Sequence, residues 1–281
     1  MESTWRPLSE RVRAWAEGIV GSIHAVERLT GGLTADIDRL SVGAVDVVLR
    51  RWGDRRWGRE LVAREATGLR ALAGRGVPAP VLVAADSGEV AGEPCLLMTA
   101  LPGRQLLRSP NIAELATTLA HVHDLDPTGL AATDPHGFDE RRVDGWIRDP
   151  ALAETVKQTL ATELDESAPV LVHGDYQLLN TLWRNDDLTG VVDWTYTGSG
   201  RRETDVGLCR ASLAVLVSAD AADTFLRRYE AEAGVRIDPN ADLRALMSFG
   251  PSWLGFLTDQ LGAPAPNQLE AVVLRAASRL G

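Results

Sequence analysis

Apolar residues recur at helical spacing from the start of the chain. Val12, Trp15, Ala16 and Ile19 share one face and predict a helix over residues 8–20. The pattern then turns β-rich. His24–Leu29, Ala35–Ser41 and Ala44–Arg50 read as three strands of a meander, with Thr30-Gly31-Gly32-Leu33-Thr34 as the loop between the first two and a turn at Gly43. Helical periodicity returns over 59–74 and stops at Gly74 and Gly76, as glycines end helices. Val77-Pro78-Ala79-Pro80 forbids continuation and starts an extended segment to Ala85. Glu93–Thr99 predicts a buried strand, and Leu101-Pro102-Gly103 punctuates the chain.

Beyond residue 100 helical patterns dominate, over about 111–124, 138–148, 150–165, 203–216, 219–233, 240–258 and 266–280. Only the strip from about 169 to 193 reads as short strands. This switch predicts an α+β fold of two lobes: a small β-rich lobe over 1–100 and a larger, mainly helical lobe over 101–281. No long linker, internal repeat or low-complexity segment interrupts it.

The chain has 281 residues, 45% of them hydrophobic, enough for substantial cores. No apolar run suffices to cross a bilayer, and residues 1–20 lack the basic-then-apolar order of a signal peptide. A soluble, cytoplasmic protein without membrane partners is expected. The two cysteines, Cys95 and Cys209, lack metal-ligand spacing and read as reduced, buried residues. A formal net charge of -10 argues against non-specific nucleic-acid binding. It suits a cationic small substrate, although surplus acid also serves plain solubility.

The chemistry is concentrated in Leu171-Val172-His173-Gly174-Asp175-Tyr176-Gln177-Leu178-Leu179-Asn180 and in Val191-Val192-Asp193-Trp194. Asp175 and Asn180 follow an apolar strand, five residues apart, so one loop can present both. A turn at Asn185-Asp186-Asp187 would fold the chain back and bring Asp193 beside that loop. Two carboxylates and an amide are the polar equipment of phosphoryl transfer, where hard oxygen ligands hold magnesium on nucleotide phosphates.

His173-Gly174-Asp175 with Asn180, then Asp193-Trp194, resembles the aminoglycoside phosphotransferase family, small-molecule kinases with a protein-kinase-like fold. His-Gly-Asp there stands for the His-Arg-Asp of protein kinases. The central motif is specific; the flanking parts are weak singly but occur in the right order over most of the chain.

The resemblance implies Asp175 as catalytic base and Asn180 and Asp193 as magnesium ligands. An ordinary Asp is a poor base near neutrality, so orienting the acceptor hydroxyl in line is expected to matter more than early proton removal. Gly31 and Gly32 would cover the nucleotide phosphates with backbone N–H groups. Arg50 takes the place of the kinase lysine, a departure from the kinase pattern, with Glu65 as its helix partner in preference to Glu60. Arg51 faces the other side of its strand. A solvated arginine pair at a strand end is the bland alternative. The Thr99 carbonyl and Leu101 N–H would pair with the nucleotide base. Taken alone, a Gly-Gly between strands or a strand running into a turn carries no such meaning. His173 and Asp205 are expected to brace the catalytic loop. His121 and His123, two apart on a helix, cannot form a two-His metal clamp. Trp183 and Trp194 read as core.

The implied activity is an ATP-dependent O-phosphotransferase, with GTP possible, using Mg2+ and placing the nucleotide between the lobes. The preferred acceptor is a small hydroxylated molecule, an aminoglycoside or similar antibiotic, in resistance or self-protection. A macrolide or a metabolite alcohol, such as an amino alcohol or sugar, is the rival within the class. A nucleotide-binding pseudoenzyme or drug-binding module is the rival from another class, kept alive by Arg50. A protein kinase is disfavoured: there is no Ala-Pro-Glu segment, and the stretch from Asp193 to Asp205 is short. A monomer or homodimer is expected.

Overall fold

The structure is a computed structural model that describes residues 6–29, 35–53, 57–134, 141–164, 167–262 and 265–280. The chain divides into two compact units, Met1–Pro102 and Gly103–Gly281.

In the first unit, α1 (Glu10–Val20) begins at Ser9, whose hydroxyl accepts from the Val12 N–H at 3.2 Å. Strands β1 (Ala25–Arg28), β2 (Asp36–Ser41), β3 (Asp46–Arg51), β4 (Leu82–Ser87) and β5 (Pro94–Thr99) form one antiparallel sheet in the order β1-β2-β3-β5-β4. The predicted meander is its first three strands. Val12 and Ala16 of α1 pack with Leu40, Val47, Leu49, Cys95 and Leu97 in one buried cluster. Helix α2 (Gly58–Leu72) packs against β4 and β5 and buries Val62, Ala66 and Leu69 on its apolar face.

The second unit contains α3 (Ile112–His123), α4 (Arg141–Trp146) and α5 (Pro150–Ala161), then β6 (Val170–Val172), β7 (Thr181–Arg184), β8 (Asp187–Val191) and β9 (Gly198–Gly200). Helices α6 (Arg202–Leu216), α7 (Ala219–Ala233), α8 (Pro239–Leu246), α9 (Ser252–Leu261) and α10 (Leu269–Ala277) complete it. Asn111 and Asp149 cap α3 and α5 with side-chain oxygens, and Pro150 opens α5 where its missing N–H costs nothing. Helix α6 is the centre of the unit: every residue from Asp205 to Leu216 is buried, and it packs on α7, α8 and α10.

Two expectations are corrected. The single helix predicted over 240–258 is two, α8 and α9, because Gly250-Pro251 interrupts the backbone hydrogen bonding between them. Strand β9 lay outside the predicted β strip: Gly198-Ser199-Gly200 has no strand propensity and is extended because it pairs with β6, Leu171 opposite Ser199. Trp183 and Trp194 are buried, as are Cys95 and Cys209. Among the described residues no helix is long and apolar enough to cross a membrane.

Candidate active site

The β7–β8 hairpin brings the second unit's polar residues together. Asn185 takes the left-handed conformation (φ 57°) at its tip, and Thr181 pairs with Val191 at its base. One step further, the Val192 N–H donates to the Asn180 carbonyl at 2.9 Å. Asn180 and Asp193 therefore leave the same end of one hairpin. Asp193 is itself left-handed (φ 66°, ψ 60°), a conformation costly for a non-glycine residue, and its carboxylate accepts from the Thr195 hydroxyl at 2.6 Å.

Asp175 sits on the loop between β6 and the 3-10 turn Leu178–Asn180. Its Oδ1 accepts from Gln177 Nε2 at 2.7 Å and its Oδ2 from Asn180 Nδ2 at 2.9 Å. Burial, then the charge of Asp193, push the Asp175 carboxyl well above the ordinary range; the Asn180 and Gln177 hydrogen bonds oppose them. Gln177 was not singled out in the sequence, although a polar side chain two residues beyond the Asp was the available signal.

His173 ties this loop to the hairpin. The Asp175 N–H donates to His173 Nδ1 at 3.1 Å, and His173 Nε2 donates to the Val192 carbonyl at 3.0 Å. Gly174 is required where it stands. Its φ is +82°, and a Cβ there would lie 2.4 Å from the Tyr196 carbonyl oxygen. The loop is anchored below by Asp205 in the first turn of α6, which accepts from the His173 N–H at 2.7 Å and the Gly174 N–H at 2.8 Å. Asp205 is fully buried, which by itself raises a carboxyl, but its bond to His123, the electrostatic attraction of His123 and His173 and the bond from the His173 N–H win and hold it below the ordinary value.

Magnesium takes oxygen ligands and commonly uses only one or two carboxylates beside phosphate oxygens. Both atoms that Asn180 Nδ2 faces, the Asp175 carbonyl at 2.8 Å and carboxylate, are acceptors, so the amide orientation is fixed and Asn180 Oδ1 is left as a ligating atom. Asp193 supplies a carboxylate, and the repulsion between Asp175 and Asp193 is what a divalent cation relieves. The residues fit the ion. Among the described residues no group of three or more His, Cys, Asp or Glu side chains is set to hold a metal.

In the first unit, Arg50 Nη1 meets Glu65 Oε1 at 2.6 Å, both buried, and the guanidinium lies 5.1 Å from the Trp52 ring centroid. Arg51 points to the other face and pairs with Asp38 at 2.8 Å, also buried. The solvated arginine pair is thereby excluded. Glu60 meets Arg64 on the helix surface. The Val81 N–H donates to the Thr99 hydroxyl at 2.9 Å and the Thr99 N–H to the Val81 carbonyl at 2.9 Å, so Thr99 ties β5 to the segment before β4 through its hydroxyl and its amide. Leu101 follows in half-buried, non-helical chain. Gly31 and Gly32 lie outside the described residues.

A cavity of about 170 Å³ in the second unit is lined by Thr133, Asp134, Arg201, Glu203, Thr204 and Ser248 among others. Thr133 donates to the Tyr196 carbonyl at 3.1 Å, three residues beyond Asp193.

The phosphotransferase enzyme family (APH) matches residues 25–243. None of the curated proteins matches the sequence significantly. Among solved structures, an aminoglycoside-3'-phosphotransferase of type VIII is similar at 20% identity and a TM-score of 0.63, over 86% of this chain and 100% of that one. The macrolide 2'-phosphotransferase MphH from Brachybacterium faecium is similar at 20% identity and 0.60, over 97% and 98%. The amicoumacin kinase hAmiN, in complex with AMP-PNP, Ca2+ and Ami, is similar at 12% identity and 0.61, over 96% and 93%. These likenesses show the α+β, protein-kinase-like fold. With the family match spanning most of its length, the chain belongs to the APH phosphotransferase enzyme family.

Proposed function

We infer that the chain transfers the terminal phosphoryl group of ATP to a hydroxyl of a small molecule, with an aminoglycoside or similar antibiotic as the first candidate acceptor. The observation that carries this reading is the Asp175 carboxylate, clamped by Gln177 and Asn180 and facing the charge of Asp193.

In this reading the acceptor oxygen forms a bond to the terminal phosphorus while the bond to the bridging oxygen breaks and ADP leaves. The two hydrogen bonds on Asp175 fix its carboxylate, which holds the acceptor O–H in line and receives its proton. Asn180 and Asp193 hold magnesium, which when bound neutralises phosphate charge. Arg50, aimed by Glu65, grips a phosphate oxygen, and the chain at Thr99 and Leu101 pairs with the base. The cavity beside Thr133 receives part of the acceptor, its hydroxyls, with Asp134 and Glu203 set among Arg201 and Arg244, suiting a polyhydroxylated compound.

The structural neighbours support an antibiotic acceptor: their names cover an aminoglycoside, a macrolide and amicoumacin. A role in resistance or self-protection, in the cytoplasm, accompanies that reading. The test is ADP release from Mg·ATP and Mg·GTP with aminoglycosides, macrolides, peptide antibiotics and amino alcohols. Acceptor-dependent release, lost in Asp175→Asn, is expected. Nucleotide binding without turnover across the whole set would instead make the protein a binding module.

A further inference from the structure

A second histidine acts on the catalytic loop from behind. His123, the last residue of α3, is 5% exposed, and its Nε2 donates to Asp205 Oδ2 at 3.1 Å. That same oxygen accepts the His173 N–H. On the other side of the ring, His123 Nδ1 meets the Tyr229 hydroxyl of α7 at 2.6 Å. Arg202, half-buried in the first turn of α6, donates to the Tyr229 oxygen at 3.3 Å.

The proton positions follow. A carboxylate can only accept, so His123 Nε2 carries hydrogen toward Asp205. Arg202 can only donate, so it occupies a lone pair of the Tyr229 oxygen, and toward a neutral His123, with its hydrogen on Nε2, the phenol is the donor to Nδ1. Burial, which outweighs the Arg202 charge, pushes the Tyr229 phenol up to about 12, so it remains a donor. Every link points one way: Arg202 to Tyr229, Tyr229 to His123, His123 to Asp205, while Asp205 gathers the amides of His173 and Gly174.

The geometry points to His123 and Tyr229 as positioning residues of the phosphotransferase: they fix the Asp205 carboxylate, and through it the loop that presents Asp175. Tyr176 ties the same loop to α3 separately, its hydroxyl donating to the Leu115 carbonyl at 3.0 Å, so the His123–Tyr229 route acts beside that bond and through Asp205 alone. The kinetic part rests on the phosphotransferase reading; the loop-holding part does not.

The test compares Tyr229→Phe, His123→Phe and His123→Gln with the wild type. Tyr229→Phe removes one oxygen and keeps the ring against Phe225, 6.4 Å away centroid to centroid. Gln replaces the Nε2 donor at similar reach, whereas Phe does not. Amide hydrogen exchange is read at His173, Gly174 and Asp175, and kcat and KM are read by ADP release from Mg·ATP. Tyr229→Phe and His123→Phe are expected to exchange about fivefold faster at those amides than the wild type, with exchange elsewhere in the second unit unchanged. kcat is expected to fall about tenfold with nucleotide KM unchanged, and His123→Gln to restore most of both. Should His123→Phe not fold, Tyr229→Phe carries the comparison. Unchanged exchange at the three amides in a folded variant overturns the proposal, as does a uniform rise across the unit or a Gln variant no better than Phe. Local exchange changes in a protein that turns over no acceptor would sustain the positioning and remove the phosphotransferase reading instead.

Discussion

Asn180 gives both hydrogens of its amide to Asp175, one to the backbone carbonyl at 2.8 Å and one to the carboxylate at 2.9 Å. The candidate metal ligand thus also holds the candidate base. Asn180→Ala should cost both roles at once and lower kcat by roughly 10² or more. Asp175→Asn should lower it by roughly 10² to 10⁴ while leaving nucleotide affinity intact. The double variant should be little worse than the poorer single one, because the two act as a unit. Single-turnover kinetics and nucleotide titration check this; additive losses would separate the two residues.

The Arg50–Glu65 pair is almost wholly removed from solvent. Glu65→Ala strands a buried guanidinium and should destabilise the first unit by roughly 3–5 kcal/mol. Arg51→Ala should do the same through Asp38. Only Arg50→Lys should lower nucleotide affinity while largely keeping the fold. Denaturant melts alongside nucleotide binding distinguish these effects.

Gly174→Ala places a methyl against the Tyr196 carbonyl in a backbone region that alanine avoids. The conformation alone should cost about 1–2 kcal/mol. A shift of the loop to relieve the clash should abolish turnover. Gly129→Ala, also at positive φ but with nothing within 4 Å of the added carbon, should cost backbone strain and leave activity unchanged. Melting temperatures and kcat for the two variants give the comparison.

Asp205 is held below its ordinary value of 3.8. A carboxyl lowered by folding contributes stability that is fully present above its unfolded pKa and disappears as pH falls through the folded one. Acid should therefore loosen the second unit below about pH 4. Asp205→Asn should be less stable near neutrality and should lose part of that acid slope. Unfolding curves between pH 3 and 7 report the difference.

The legible parts of this chain are those set by local pattern. The hairpin tip at Asn185, the helix stop at Gly74 and the loop carrying Asp175 each depend on a few adjacent residues. Arg50 and Glu65 were paired only through the family resemblance, since they lie 15 residues apart on two different elements, β3 and α2. His123 was weighed only as a metal ligand and dismissed on helix geometry. Its partner Asp205 lies 82 positions away, and the packing of α3 on α7 and of α7 on α6 brings them together. Strand β9 was invisible because pairing, not composition, extends it. The break between α8 and α9 was readable in Gly250-Pro251 and was overridden by the apolar rhythm on either side.

Both ring nitrogens of His173 are committed to the backbone, one receiving from the Asp175 amide and one giving to the Val192 carbonyl. The imidazole beside Asp175 is therefore a rivet between the loop and the hairpin. In the proposed reaction the proton of the acceptor hydroxyl is left to Asp175, to the phosphate or to solvent.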